Sequence, residues 1–303
     1  MGPGEWALLG VLALVWGSAF FFYKLLDEAQ VPPFTIVAGR VGVATLVLLP
    51  VVLLTGRRLP TSPRAIGAFA LLGLLNNVVP FGLIIVSEKR IDSGLASVFN
   101  ATTPIFTALI AQAVLHDEKL TPARIGGIVL GLAGVVLLMG PSVLRGFDPT
   151  SVAQLASIVA AISYAVSIVY ARRIRTLGID PLVLTTGQLI AATVIALPLA
   201  LGIEHPLHVL PGLSATTWWA WLGLAIPGTA IAYVIYFRIM TTAGATNAAS
   251  VTFLAPIVAT LLGTLVLGEH PAPTTLAGML VIFAGLAVLD GRIFRLRAVQ
   301  ARP

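Results

Sequence analysis

The chain contains no cysteine and little charge, and each shortage excludes a class of function. Without cysteine there is no disulfide framework, no thiolate nucleophile and no cysteine-ligated metal. Charged residues make up 10% of the sequence, whereas soluble domains carry about 25%. The histidines fall in predicted loops and form no His-Glu-x-x-His zinc motif. We therefore expect neither a soluble enzyme nor a protein with a bound metal or cofactor.

Long apolar runs fill most of the sequence instead, since 58% of its residues are hydrophobic. Runs of roughly 18–24 residues suit helices that cross a hydrocarbon core of about 30 Å. The sequence therefore predicts an all-α membrane protein with ten transmembrane helices, here called spans 1 to 10. In chain order the predicted spans are Trp6–Leu26, Pro33–Leu54, Ala65–Ser87, Ile91–Leu115, Pro122–Gly140, Val152–Arg172, Pro181–Leu201, Thr217–Arg238, Ala243–Leu267 and Thr274–Gly291.

The basic residues indicate how these spans are oriented. Cytoplasmic loops carry an excess of Lys and Arg, and an even number of spans places both termini on one side. If both termini are cytoplasmic, only Lys24, Lys89, Arg90 and Arg145 of the 18 basic residues lie on the outer face. We therefore predict cytoplasmic termini in a bacterial inner membrane. The basic residues are spread over short loops, so no nucleic-acid partner is expected.

The second half of the sequence repeats the first. Each half carries a Glu-x8-Gly-x6-Gly block, which begins at Glu118 in the first half and at Glu269 in the second. The other matched pairs are Trp16 with Tyr164, Pro33 with Pro181, Gly73 with Gly223, Gly94 with Gly244 and Pro104 with Pro256. Because each half has an odd number of spans, the halves would have opposite orientations, as in many transporters. We predict a first five-helix repeat in residues 1–144 and an inverted one in residues 145–303, ending in a short basic cytoplasmic tail.

The same residues carry a family resemblance. Val15–Ser18 reads Val-Trp-Gly-Ser, Pro33 is followed by Arg40 in span 2, and the paired Gly…Pro segments and the two Glu-x8-Gly-x6-Gly blocks complete the pattern. The chain resembles the ten-helix EamA-type branch of the drug/metabolite transporter superfamily. This resemblance implies transport of small molecules, and the exporters of aromatic and neutral amino acids are the members it most suggests.

Polar residues inside the spans indicate where a substrate would bind, because such groups avoid lipid and face the helix bundle or a watery cavity. Breaks recur at equivalent depths, with Asn76 and Asn77 before Pro80 in span 3 and Pro227 in span 8. We predict a cavity between the halves, bounded by spans 1, 3, 4, 6, 8 and 9. Its predicted substrate-binding residues are Trp16, Asn76, Asn77, Ser97, Asn100, Tyr164, Tyr233, Tyr236, Asn247 and Ser250. The predicted hinges are Pro80, Pro104, Pro227, Gly228 and Pro256.

Several residues keep two interpretations. The asparagines could line the cavity or only bond neighbouring helices. Arg40, inside span 2, could contact a substrate carboxylate, or could bond helix-end carbonyls or an outer acidic side chain. Thr102, Thr103 and Thr252 could face the cavity or bond their own helix. Gly127-x3-Gly131 allows close helix contact within one chain or between chains. Trp218, Trp219 and Trp221 are expected in the interfacial aromatic belt.

The acidic residues bear on mechanism, because all 12 lie in predicted loops or at predicted helix ends. Proton pumps often use a buried carboxylate relay, so facilitated or gradient-driven movement of a neutral or zwitterionic solute is favoured. We expect a transporter whose partners are its small-molecule substrate and the bilayer, for which a monomer would suffice. The alternatives are export of drugs or other small metabolites, or a non-transporting scaffold or receptor. An intramembrane enzyme would need a catalytic pair or metal motif that the sequence lacks.

Overall fold

The computed structural model describes residues 1–91, 93–115, 120–149, 151–267, 270 and 273–290. Eight helices in this part are long and apolar enough to cross a membrane, and Val98–Val114 and Thr275–Asp290 are shorter apolar helices. No strand occurs among the described residues. The prediction of an all-helical, multi-pass membrane protein is confirmed. Glu118, Glu269 and the basic tail after Asp290 lie outside the described residues.

The helices take the numbers of the predicted spans that they occupy, and an interrupted helix keeps one number. The first are α1 (Pro3–Glu28), α2 (Pro33–Leu54), α3 (Pro63–Gly73, π-helical Leu74–Val78, Val79–Glu88), α4 (Ser93–Asn100, Thr103–Val114) and α5 (Pro122–Met139). They are followed by α6 (Val152–Arg173), α7 (Pro181–Leu199, π-helical Ala200–Glu204), α8 (Ala215–Ala225, π-helical Ile226–Ile231, Ala232–Ala243), α9 (Ala245–Ala249, Val251–Leu267) and α10 (Thr275–Asp290).

Helix α5 packs closely along α10 through glycines of the two repeated blocks. A Cβ atom built on Gly127 would lie 2.6 Å from the Leu289 nitrogen and 2.8 Å from the Gly285 oxygen. One built on Gly134 would lie 2.7 Å from the Ile282 nitrogen. Contacts that move forward along α5 therefore move backward along α10, so the two helices run antiparallel. The close approach that the glycine spacing allows is made within one chain.

Helix α2 packs along α7 in the same antiparallel manner. The Thr45 and Thr193 hydroxyls lie 3.2 Å apart. Near the start of α2, the backbone N–H groups of Phe34 and Thr35 donate to the Glu204 carboxylate over 2.8 and 2.7 Å. A carboxylate is favourable there because it accepts hydrogen bonds from the free N–H groups at a helix N-terminus.

The other large helix contacts also join the first part of the chain, α1 to α5, to the second part, α6 to α10. Helix α1 packs against α8 and α9, whereas α3 and α4 pack against α6. Helix α3 also packs against α7, and α2 against α8. The two parts of the chain are therefore interleaved, and the centre of the bundle is built from both.

The tryptophans near the start of α8 differ in their surroundings. Trp218 and Trp219 are 44% and 72% exposed, as an interfacial belt requires. Trp221 is only 5% exposed, because its ring packs on Gly39 of α2 and its Nε1 donates to the Ile36 carbonyl over 3.2 Å. The belt prediction was wrong for Trp221, which lies on the face of α8 that meets α2.

Candidate functional site

A central cavity of about 110 Å³ lies among helices from both parts of the chain. Helices α1, α2, α3, α4, α6, α8 and α9 contribute its lining. The lining residues are Trp16, Ala19, Tyr23, Arg40, Asn76, Phe81, Ile84, Asn100, Thr103, Tyr164, Ile168, Tyr233, Tyr236, Ala249, Val251, Thr252 and Ala255. A mostly apolar and aromatic wall with a few polar groups is typical of small-molecule sites.

The interruption of α3 is stabilised by side chains from α6, α7 and α8. Pro80 has no N–H group, so the Asn76 carbonyl four residues earlier loses its helical donor. The Tyr233 hydroxyl donates to that carbonyl over 2.8 Å. The Asn76 side chain accepts from Ser167 over 3.0 Å and donates to Gln188 over 3.3 Å. Asn76 is thus held in place by three residues from the second part of the chain.

The interruption of α8 is stabilised in a corresponding way by α1 and α2. The Gly228 carbonyl, within the π-helical segment, accepts from Trp16 Nε1 over 3.2 Å and from Arg40 Nη2 over 3.0 Å. Thr229 accepts from Arg40 Nε over 2.5 Å and donates to the Leu224 carbonyl over 2.8 Å. Each interrupted helix of one part therefore receives hydrogen bonds from the other part, next to the cavity.

Aromatic rings form much of the cavity wall. The Trp16 ring centroid lies 5.2 Å from that of Tyr236 and 6.0 Å from that of Tyr233. Phe81 and Tyr164 make a second, edge-on pair at 6.3 Å. Such tilted and edge-to-face arrangements are the favourable ones for aromatic pairs. The rings therefore support one another and present flat apolar surfaces to the cavity.

Arg40 brings a buried positive charge to this wall, and its side chain is only 4% exposed. Besides its bonds to Thr229 and Gly228, it donates to the Tyr23 hydroxyl. The guanidinium carbon lies 4.0 Å from the centre of the Phe81 ring, a cation–π contact that contributes about 2 kcal/mol when desolvated. Among the described residues no carboxylate pairs with Arg40. An isolated buried charge costs several kcal/mol, and here only neutral oxygens and rings offset that cost.

The structure brings most of the predicted site residues together at the cavity. Those that line it are Trp16, Asn76, Asn100, Tyr164, Tyr233 and Tyr236, with Arg40. Thr103 and Thr252, which had two interpretations, also line it, although each hydroxyl donates to a carbonyl of its own helix. The Oδ1 atom of Asn100 is buried and has no hydrogen-bond partner among the described residues.

Three predicted residues, Asn77, Asn247 and Ser250, are not brought to the cavity lining. Asn77 is fully buried elsewhere, and its amide has no partner within the described chain. Asn247 donates to the Ala243 carbonyl over 2.8 Å, and Ser250 donates to the Asn247 carbonyl over 2.6 Å. Both side chains thus bond backbone carbonyls three or four residues earlier, Asn247 at the end of α8 and Ser250 within α9, a frequent alternative for such side chains. The Ser97 side chain lies outside the described residues.

The predicted hinge residues lie at the interruptions, with one exception. Pro80, Pro227 and Gly228 lie in or just after the π-helical segments of α3 and α8, and Pro104 follows the break in α4. Pro256 lies inside Val251–Leu267, and α9 is interrupted at Ser250 instead. The hinge predicted at Pro256 thus lies within a continuous helical segment, six residues after the interruption, since a proline can lose its bond to the preceding turn without ending a helix.

Several lining residues were not predicted from the sequence. Tyr23 lies seven residues after Trp16 and so on the same face of α1. That spacing could have identified it. The other lining residues that were not predicted are Ala19, Phe81, Ile84, Ile168, Ala249, Val251 and Ala255. As apolar side chains in an apolar sequence, they gave no distinguishing signal.

Comparison with known families decides the class of the chain. The family model described as the EamA-like transporter family matches residues 4–140 and again residues 151–289. The chain belongs to this family. The predicted resemblance to the EamA-type branch of the drug/metabolite transporter superfamily is thereby confirmed.

Individual relatives of the EamA-like family extend along nearly the whole chain. YedA, an inner membrane transporter of Escherichia coli K12, is 32% identical over 288 residues, covering 94% of this chain and 90% of YedA. A WAT1-related chloroplastic protein of Arabidopsis thaliana is 28% identical, covering 94% of this chain and 69% of the relative. YdfC, a transporter of Bacillus subtilis, is 29% identical, covering 90% of this chain and 86% of YdfC. The names of YedA and YdfC state transport without a substrate.

One solved crystal structure has the same fold. It matches with a TM-score of 0.80 over 98% of this chain and 99% of the other, at 22% sequence identity. That likeness concerns the fold alone. Together with the membrane-length helices, the family places this chain among multi-pass cell-membrane proteins.

Proposed function

We propose that the chain is a ten-span transporter that exports small metabolites, in particular neutral or aromatic amino acids, from a bacterial cell. Solutes would cross the inner membrane by alternating access through the central cavity. The observation that carries this proposal is the shared construction of the cavity: both parts of the chain line it, and each donates side-chain hydrogen bonds to a carbonyl in the other's interrupted helix. In such transporters one repeat rocks against the other around a fixed site.

Two kinds of observation support an architecture of two inverted repeats. The family model matches twice, and the eight long helices with the two shorter ones would give ten spans. Helices at equivalent places in the two matches, α5 with α10 and α2 with α7, run antiparallel. Opposite directions for equivalent helices are what inverted repeats require. We therefore assign residues 1–144 and 145–303 to the two repeats, with both termini in the cytoplasm.

The interrupted helices suggest how the cavity could open to alternate sides. The bonds from Tyr233 to the Asn76 carbonyl and from Trp16 to the Gly228 carbonyl cross between the repeats. A neutral hydrogen bond contributes about 0.5–1.5 kcal/mol net. Breaking and re-forming these few bonds therefore allows the two repeats to move relative to one another on a functional timescale. The close glycine contacts between α5 and α10 could remain in place during this movement.

The composition of the cavity supports the cargo and the energetics. Its rings suit the side chain of an aromatic amino acid. No Asp or Glu is among the described residues that line it, which favours facilitated or gradient-driven movement over obligatory proton coupling. Drugs or other small metabolites are the alternative cargo, and a non-transporting scaffold or receptor is the alternative class. One chain forms the lining, so a monomer would suffice.

The first prediction concerns topology. Alkaline phosphatase, which is active only outside the cytoplasm, should stay inactive when fused after Pro303, because an even number of spans returns the chain to the cytoplasm. A fusion after Gly146, between the proposed repeats, should be active and serves as the matched control. Strong activity of the C-terminal fusion would contradict ten spans with cytoplasmic termini.

The second prediction concerns transport. Liposomes that contain the purified protein should exchange radiolabelled neutral or aromatic amino acids with external solute when no pH gradient is imposed, and protein-free liposomes should not. Exchange that occurs only with a pH gradient would contradict the facilitated mechanism. If another metabolite is transported but no amino acid is, the proposed amino-acid cargo is wrong. If no solute in a broad panel moves, the scaffold alternative is favoured.

A further inference from the structure

The geometry of Arg40 points to a narrower substrate class for the cavity. We infer that the cavity recognises a small carboxylate with a flat apolar body, and that it does not require an ammonium group. Arg40 would bind the carboxylate, and the aromatic rings would hold the body. The inference rests on the proposed function, because it concerns the same cavity, and it states which part of the cargo is recognised.

The Arg40 guanidinium has more N–H donors than the hydrogen bonds it makes to the described residues. A guanidinium carries five N–H donors, and three bonds are made, to Thr229, Tyr23 and Gly228. All three acceptors are neutral oxygens. The other donors have no acceptor in the described part of the chain, and the side chain lines the cavity. A carboxylate can accept two parallel bonds from a guanidinium, so it would supply both the missing acceptors and the missing negative charge.

The charge balance of the cavity favours a solute with a negative group and does not require a positive one. Among the described residues that line it, Arg40 is the only one that is charged at neutral pH. A bound carboxylate would neutralise this charge. The ammonium of a bound amino acid would be repelled by the same guanidinium, which weakens binding relative to a simple carboxylate without preventing it. Among the described lining residues, the acceptors available to that ammonium, such as the Asn100 side chain, are neutral.

The position of the rings relative to Arg40 indicates the shape of the solute. Phe81 lies directly against the guanidinium, and Tyr164 makes an edge-on contact with Phe81. Trp16 and Tyr236 form another part of the wall, and Trp16 shares the Gly228 carbonyl with Arg40. A carboxylate at Arg40 would therefore leave the rest of the solute among aromatic surfaces, which suits a phenyl ring joined to the carboxylate by a short linker.

Ligand-induced stabilisation of the purified protein tests this inference without requiring transport, since a bound ligand raises the unfolding temperature. The probes are 3-phenylpropionate, its neutral isostere 3-phenylpropionamide, phenethylamine and phenylalanine. We expect 3-phenylpropionate to bind about 10-fold or more tightly than the amide, and phenylalanine to bind no more tightly than 3-phenylpropionate. Phenethylamine should give no stabilisation.

Variants of Arg40 show whether that residue is the origin of the selectivity. Arg40→Gln should erase the difference between carboxylate and amide, whereas Arg40→Lys, which keeps the charge but not the fork, should retain part of it. Arg145→Gln removes the same charge from an exposed position outside the cavity and should leave the difference unchanged. If Arg40→Gln does not fold, the four probes on the parent protein still decide the matter.

The outcomes separate this inference from the proposed function. Equal binding of carboxylate and amide, tighter binding of phenethylamine, or no stabilisation by any probe would overturn the inference. If amino acids exchange in liposomes despite one of these results, the proposed transport stands without it. If 3-phenylpropionate binds selectively and no solute is transported, the recognition of carboxylates stands and the transport proposal fails.

Discussion

Replacing Gly127 by leucine is expected to prevent the chain from accumulating in its folded form. A Cβ atom at this position would meet the Leu289 nitrogen and the Gly285 oxygen of α10, and backbone atoms cannot move aside as a flexible side chain can. Helices α5 and α10 would have to separate along their seam. In a membrane, helices associate largely through such close packing, so separation removes much of what holds them together. The expected result is loss of monodisperse protein after extraction in mild detergent.

The neighbouring Gly126 provides a matched control on the same helix. A Cβ atom there would come no closer than 3.9 Å to Val288, an ordinary contact. Gly126→Leu should therefore accumulate like the parent protein. Alanine variants give a graded test: Gly127→Ala should destabilise the fold by about 1–3 kcal/mol, whereas Gly126→Ala should be neutral or slightly stabilising because alanine favours helices. If Gly126→Leu and Gly127→Leu accumulate equally, the close packing of α5 against α10 is contradicted.

The positions of the helices could be predicted from the sequence because apolar length is a direct requirement of the bilayer. The predicted span Pro33–Leu54 has the same bounds as α2, because the helix begins at a proline and ends where the apolar run ends. For the interruptions of α3 and α8, the sequence predicted the position but not the backbone conformation. Pro80 and Pro227 indicated a break, but the π-helical segments Leu74–Val78 and Ile226–Ile231 depend on hydrogen bonds from distant helices.

The site could be predicted where a residue was unusual for an apolar helix. Trp16, Asn76 and Tyr233 were identified in this way and do line the cavity. Which face of a helix turns inward was harder to predict, because neighbouring residues point about 100° apart. Asn77 therefore lies away from the cavity although Asn76 lines it.

The other two differences between sequence and structure have different causes. The Asn247 side chain donates to the Ala243 carbonyl four residues earlier, a local bond that the sequence allowed but did not determine. Trp221 is buried, and not in the expected belt, because Gly39 of α2 leaves space for its ring. Periodicity within a single span cannot identify such a distant partner.

The central claim is that the cavity is where the transported solute is held, and the absence of cysteine makes a direct test available. In Thr252→Cys the single thiol would lie in the cavity wall, whereas in Leu207→Cys it would lie outside the cavity, in the connection between α7 and α8, at a site that is 71% exposed. The measurement is the rate at which each thiol reacts with a small water-soluble thiol reagent, with and without a transported solute. We predict that the solute slows the reaction of Thr252→Cys and leaves that of Leu207→Cys unchanged. An unchanged rate at Thr252→Cys, in protein that still transports the solute, would contradict the claim.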